Sequence, residues 1–280
     1  MANIRDFQNI PAVVDERVRH PKDVDSFVSW LTKFCNYDHR RYANYYSVAV
    51  DELERSLYNS AFWIDFSRFL TDVNAEYQQI YTNFLLESVK NPEINKKSLK
   101  SVIEKTYRKD VLNNDRYPDE PEKGGWILPT NWFSSLHDIL RTTIVVKYLD
   151  GVEFLLQRLK KYAESHNCGF TFDYEARDNG YYAAHTGVQM NLSMPSYDDL
   201  EPHLVPINLE IQITTQLQSV VKDLLHAYYE SDRIEPLDKD YQWQWDYKSP
   251  RFNTNYLGHM VHFVEGMVVD LRDKQHQKKI

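Results

Sequence analysis

Ile207, Leu209, Ile211 and Ile213 alternate with Asn208, Glu210, Gln212 and Thr214. Successive side chains of a strand point to opposite faces, so this segment predicts a strand with one apolar and one polar face. The stretch before it behaves alike. Tyr182, Ala184, Val188, Met190 and Leu192 fall on one parity, and Tyr181, Ala183, His185, Gln189 and Asn191 on the other. Two such strands together would floor a pocket with Tyr, His, Glu and Gln. Upstream, the β-branched run over 139–148, directly after Asp138, predicts a buried strand, and Phe170–Tyr174 a short one.

The remaining periodicity is helical. Val24, Phe27, Val28 and Leu31 predict a helix over 24–36, and similar spacings predict helices over 42–58 and 61–89, the latter closed by Asn91-Pro92. A helix over 97–109 would align Lys97, Ser101, Lys105 and Lys109 on one face while Val102 and Ile103 turn to the core. Pro118, Pro121, Gly124-Gly125 and Pro129 mark 110–130 as a loop. Residues 151–163 predict an amphipathic helix, Leu217, Val220, Val221, Leu224 and Tyr228 another, and 255–273 a last one after the aromatic tract Tyr241–Trp245. Helices, then strand, helix, three strands and helix give an α/β (α+β) core between helical flanks. The expected boundaries are a helical extension over 1–92, a core over 93–235, and a C-terminal tract and helix over 236–280 that packs on it.

Composition narrows the class. With 280 residues, 42% hydrophobic and 26% charged, the chain has ample material for a packed core. Its two cysteines, Cys35 and Cys168, are no disulfide framework and fit a reducing compartment. The start of the sequence has no apolar signal core and no stretch is apolar enough to span a membrane, so a cytoplasmic protein with no membrane partner is expected. A net charge of -8 argues against general nucleic-acid coating, though not against a local basic patch that holds a nucleotide.

Asp138 and Glu210 are the candidate chemistry. Two carboxylates on separate strands commonly hold magnesium beside transferred phosphates, and a glutamate can also accept a hydroxyl proton. Against this, most acidic residues on strands are solvated surface, a lone histidine such as His185 is more often a structural imidazole, and a lysine stripe is more often a solvated face. An aromatic ring such as Tyr181 can stack on a base. By themselves these residues point no further than a nucleotide-phosphate site.

Taken in order, Lys97-Ser98-x-x-Ser101-x-Ile103-Glu104-Lys105, Asp138-Ile139-Leu140 before an Ile-Val-Val strand, Asn179-Gly180-Tyr181-x-x-x-His185, Glu210-Ile211-Gln212-Ile213-x-Thr215, and His226 in the next helix resemble the RelA/SpoT synthetase domain. The resemblance covers 95–230. It implies a nucleotidyltransferase-like mixed β-sheet that moves pyrophosphate from ATP to the 3′-hydroxyl of GDP or GTP, making (p)ppGpp. It further implies that Asp138 and Glu210 hold Mg2+, with Glu210 alternatively activating the acceptor hydroxyl. Lys97, Ser101 and Lys105 would meet the ATP phosphates. Tyr181 would stack on the acceptor base, with Asn179, His185, Gln212 and His226 in the same nucleotide site. Arg177 stands where the family has a basic residue before Asn-Gly-Tyr. Asn95, Phe170, Phe172 and Thr214 replace cations usual in the family, and Arg141 is a nearby substitute. These departures keep open a toxin-type acceptor, the 3′ end of tRNA or an adenosine nucleotide, and a catalytically inactive nucleotide-binding module. The helical extensions suit a protein antitoxin or self-association.

Overall fold

The computed structural model describes residues 23–35, 37–117, 119–122, 124–223 and 242–277. Helices α1 (Val24–Phe34), α2 (His39–Tyr58), α3 (Ala61–Ile64) and α4 (Phe66–Tyr81) come first. Strand β1 (Asn95–Lys96), α5 (Leu99–Tyr107), α6 (Trp132–Ser135), β2 (Leu140–Val146) and α7 (Asp150–Ser165) follow. Then come β3 (Gly169–Ala176), β4 (Tyr182–Pro195), β5 (Pro202–Thr215), a helix α8 described over 216–223, and α9 (Pro250–Gln277). The strands form one mixed five-stranded sheet in the order β1-β2-β5-β4-β3, flanked by helices, as the α/β expectation has it. β1 runs antiparallel to β2 with Asn95 opposite Arg141, and β3 antiparallel to β4 from Gly169 opposite Gln189 to Ala176 opposite Tyr182.

Local chemistry sets the boundaries. Asp23 caps α1 by accepting the Ser26 N–H at 2.8 Å, which satisfies one of the first-turn donors. The single helix expected over 61–89 is instead two. Ser60 caps α3 and α4 restarts at Phe66, then stops where Thr82 takes a left-handed φ of 61°. Ending there lets Leu85 and Leu86 turn into the core, where the Leu86 N–H donates to Asn74 Oδ1 and Leu86 bridges to Val146. The helix expected over 97–109 begins only at Leu99, because the Ser98 side chain accepts the Ser101 N–H as its cap. A wider turn over Arg108–Leu112 follows it, so Lys97 and Lys109 lie outside the helix.

Two compact units make up the chain. The described residues within 1–58, 94–141 and 190–209 form one, and those within 59–93, 142–189 and 210–280 the other. In the first, buried Leu53, Leu57, Trp132, Leu136 and Ile139 form the core. Tyr42 sits edge-on against Trp132 at 5.1 Å between ring centres, and donates its hydroxyl to the Pro129 carbonyl. In the second, Leu155, Leu156 and Leu159 of α7 are buried with Ala184, Val188, Ile211 and Ile213 of the strands.

The far end of α9 is pinned in the second unit by Arg272. Its guanidinium donates to the Tyr77 hydroxyl at 2.6 Å and to Asp150 Oδ2 at 2.9 Å, joining α9 to α4 and α7. Removing one partner of such a little-exposed pair leaves the other charge unmatched. Arg272→Met is therefore expected to cost about 3 kcal/mol in urea unfolding. A loss under about 0.5 kcal/mol, the range of ordinary surface changes, would contradict this account of the pin.

Candidate functional site

In the first unit the polar centre is Asp138. Lys97 Nζ lies 2.8 Å from Asp138 Oδ2 and Lys105 Nζ 2.8 Å from Oδ1, with the carboxylate only 12% exposed. Burial pushes the Asp138 carboxyl up, but hydrogen bonds and charge from Lys105 and Lys97 outweigh it and hold the group below the ordinary carboxylate range. Lys97 is fixed by its backbone: its N–H donates to the Ile139 carbonyl at 2.9 Å, and its carbonyl accepts the Tyr46 hydroxyl at 2.7 Å. An ionised, largely enclosed carboxylate thus lies between two ammonium groups. Its oxygens are the hard donors that Mg2+ takes.

In the second unit a hydrogen-bonded chain crosses the polar face. Glu210 Oε1 lies 2.9 Å from His185 Nδ1, and His185 Nε2 lies 2.9 Å from the Tyr181 hydroxyl. A carboxylate only accepts, so Nδ1 carries the proton and, in the neutral imidazole, Nε2 accepts from tyrosine. Gln212 Nε2 donates to Glu210 Oε2 at 3.4 Å, and Lys222 Nζ donates to Gln212 Oε1 at 3.3 Å. Glu175 on the neighbouring strand pairs with Arg177 and approaches His185 Nδ1 at 3.7 Å. The Arg177 guanidinium stands 5.3 Å and the Lys222 ammonium 6.0 Å from the centre of the Tyr181 ring.

The turn that delivers Tyr181 is held by α9. Gly180 has φ +80°, and a β-carbon there would meet the Asn255 carbonyl oxygen at 2.4 Å; one on Gly258 would meet the Gly180 oxygen at 2.4 Å. His259 completes the hold, with Nε2 2.9 Å from the Asp178 carbonyl and Nδ1 2.8 Å from the Tyr182 hydroxyl. Tyr182 stacks on His262 at 3.7 Å with the rings 2° from parallel. Burial and then the neighbouring His259 pull the His262 imidazolium below its ordinary range.

The residues expected from the sequence thus fall into two groups. Lys97, Lys105 and Asp138 meet in the first unit, and Arg177, Asn179, Tyr181, His185, Glu210 and Gln212 surround one turn in the second. Asn179 acts within that turn, its Oδ1 accepting the Tyr181 N–H at 3.2 Å. Ser101 bonds to Ser98 at the start of α5, and Arg141 is exposed on β2. His226 lies outside the described residues. Glu175, Lys222, Gly258 and His259 belong to the second group and were not expected. Lys222 lies seven residues past Thr215 on a helix face, and Glu175 sits on a strand with no special spacing, so neither carried a signal.

No family model matches the chain, and no curated protein matches it. Among solved structures it is similar to the small alarmone synthetase 2 from Bacillus subtilis, at 14% identity over 83% of this chain and 97% of that one, TM-score 0.48. It is also similar to a GTP pyrophosphokinase family protein from Streptococcus pneumoniae, at 15% identity over 85% and 95%, TM-score 0.49. A third is the small alarmone synthetase 1 from Bacillus subtilis bound to its product pppGpp, at 14% identity over 81% and 99%, TM-score 0.43.

Two measurements check these arrangements. Gly258→Ala is expected to lose roughly 1–3 kcal/mol of stability by overpacking. Gly266→Ala on the same helix, whose new β-carbon meets nothing nearer than Leu149 at 4.0 Å, is expected to lose nothing. Equal losses would rule out the close contact as the cause. For Asp138, whose folded-state carboxyl is depressed, the stabilisation is complete above the unfolded value near about 3.9 and fades as pH falls through the folded value. The advantage of the native chain over Asp138→Asn is therefore expected to hold from neutral pH down to mildly acidic pH. It should shrink below about pH 4. An advantage that grew on acidification would overturn the assignment.

Proposed function

We propose that the chain is a pyrophosphotransferase that moves the β,γ-pyrophosphate of ATP to the 3′-hydroxyl of GDP or GTP. The observation that carries this reading is the chain from Glu210 through His185 to Tyr181. It joins three residues of the motifs that resemble the RelA/SpoT synthetase domain into one hydrogen-bonded group. In the reaction the acceptor 3′-oxygen attacks the β-phosphorus, the bond to the oxygen bridging the α-phosphate breaks, and AMP leaves. The hydroxyl proton passes to Glu210, whose carboxylate is aimed by His185 and Gln212.

The remaining work is positioning and charge neutralisation. Tyr181 commits its hydroxyl to His185, so its ring is the part that contacts the acceptor base. Arg177 and Lys222, near that ring, are the cations for the acceptor's phosphates. Lys97 and Lys105 are the cations for the ATP phosphates, and the Asp138 oxygens between them would be ligands for Mg2+. Mg2+, when bound, supplies the neutralisation of phosphate charge that two lysines cannot give alone.

A second reading concerns the acceptor. Phe170, Phe172 and Tyr174 follow one another along β3 with ring centres 6.3 Å and 5.9 Å apart, and Phe172 and Tyr174 are about half exposed. An aromatic row suits unstacked bases better than phosphates, which favours the 3′ end of tRNA as the alternative acceptor.

Labelled ATP incubated with GDP, GTP, AMP or tRNA and resolved by thin-layer chromatography distinguishes the two. Label on GDP or GTP is expected. Label on tRNA alone would move the assignment to the second reading, and no labelled product with any acceptor would leave a nucleotide-binding module. Glu210→Gln is expected to lower the transfer rate at least about 100-fold. Tyr181→Ala is expected to raise the acceptor KM about tenfold, as loss of a base-stacking ring does.

A further inference from the structure

A cavity of about 260 Å³ opens behind the strands of the second unit. Its walls include Leu149 and Val152 at the start of α7, Tyr174 of β3, Tyr182 of β4, Thr215 of β5 and His262 of α9. Tyr174 stands in register with Ala184, so it shares with Tyr182 the side of the sheet turned away from His185. Thr215 has the parity of Ile211 and Ile213 and points the same way, opposite to Glu210. The cavity is thus on the reverse of the strands that carry the chain from Glu210 to Tyr181. Apolar cavities of about 150 Å³ already admit a benzene ring, so this one has room for a fused bicyclic ring.

The lining decides what chemistry fits. Tyr174, Tyr182 and His262 bring three rings to it, and rings pack favourably on rings. Glu153 and Glu175 also border the cavity, and among the described residues no lysine or arginine does. His262 supplies no compensating charge, since burial and His259 disfavour its imidazolium. A phosphate or carboxylate would be desolvated here with nothing to pair it, which excludes nucleotides and organic anions. A buried acceptor stands close by. One turn past His262 on α9, Glu265 is 5% exposed, and neither of its oxygens completes a hydrogen bond. Burial pushes its carboxyl up, and the nearby Thr215 hydroxyl relieves this only in part. Glu265 therefore lies beside two residues of the lining, Thr215 and His262. A positively charged donor is the group that matches such an acceptor.

We propose that this cavity binds a small planar aromatic amine, with its ring among Tyr174, Tyr182 and His262 and its ammonium group reaching Glu265 beside Thr215. Tyr182 follows Tyr181 directly, and His262 stands one turn beyond Gly258 and His259, which hold the Gly180 turn. An occupant would brace from behind the turn that presents Tyr181. The site does not depend on the reaction proposed above.

Calorimetric titration of the full chain with tryptamine, indole and indole-3-acetate, which share a ring and differ in charge, tests this. Tryptamine is expected to bind saturably at one site, indole at least about tenfold more weakly, and indole-3-acetate not at all. Val152→Phe, which fills the cavity, should abolish tryptamine binding, and Glu265→Gln should reduce it to the level of indole. Should either variant misfold, magnetisation transfer by NMR from the tryptamine ring to the Leu149 and Val152 methyl groups of the native chain decides with the three-ligand comparison. Absence of saturable tryptamine binding would overturn the proposal. So would indole or indole-3-acetate binding as tightly as tryptamine, binding that either substitution leaves unchanged, or bound tryptamine whose ring does not contact those methyl groups.

Discussion

Two backbones meet at Gly180 and Gly258 with no room for a β-carbon on either, and the polar face of the second unit is arranged around that contact. The left-handed φ of Gly180 turns the chain back onto β4, and Asn179 closes the turn by accepting the Tyr181 N–H. Tyr181 is thereby placed where its hydroxyl reaches His185, and the pairing of β4 with β5 in the sheet brings His185 to Glu210. His259 acts from outside, bridging a backbone carbonyl before the turn and a tyrosine after it. A backbone contact this close has two discrete outcomes, seated or displaced. The turn therefore behaves as one part with the helix that holds it.

Charge is balanced before any ligand arrives. Asp138 stands between two ammonium groups that offset its burial, and Glu210 accepts from an imidazole and an amide. Unpaired, either carboxylate would carry the full cost of desolvation. Paired in this way, both are held in a fixed orientation. Such preorganisation is what a transfer with little covalent chemistry of its own requires.

Much of this is legible in the sequence, for physical reasons. The period of two through 182–192 and 207–214 fixes which side chains share a face, so the grouping of His185, Glu210 and Gln212 follows from pattern alone. Asp138 at the mouth of a β-branched strand is likewise visible. Capping decides what periodicity leaves ambiguous: Ser98 starts α5 after Lys97, and Thr82 stops α4 before residues whose spacing still looks helical. Long-range partners leave no local mark. Nothing near Gly258 or His259 announces a partner some eighty residues earlier, and Glu175 is an ordinary strand glutamate until its neighbour strand is in place. The last helix has the opposite character. Its spacing predicts a helix correctly, yet Met260, Phe263 and Met267, which look like core, lie outside.

The proposed reaction differs from simple phosphoryl transfer in which bond of ATP is broken. With GDP or GTP present, transfer of pyrophosphate leaves AMP, whereas transfer of one phosphate leaves ADP. Chromatographic quantification of adenine nucleotides against acceptor consumed is therefore the most direct measurement. One AMP formed for each acceptor modified, abolished by Glu210→Gln, is the predicted result. ADP as the product, or AMP formation that is indifferent to both acceptor and Glu210, would contradict it.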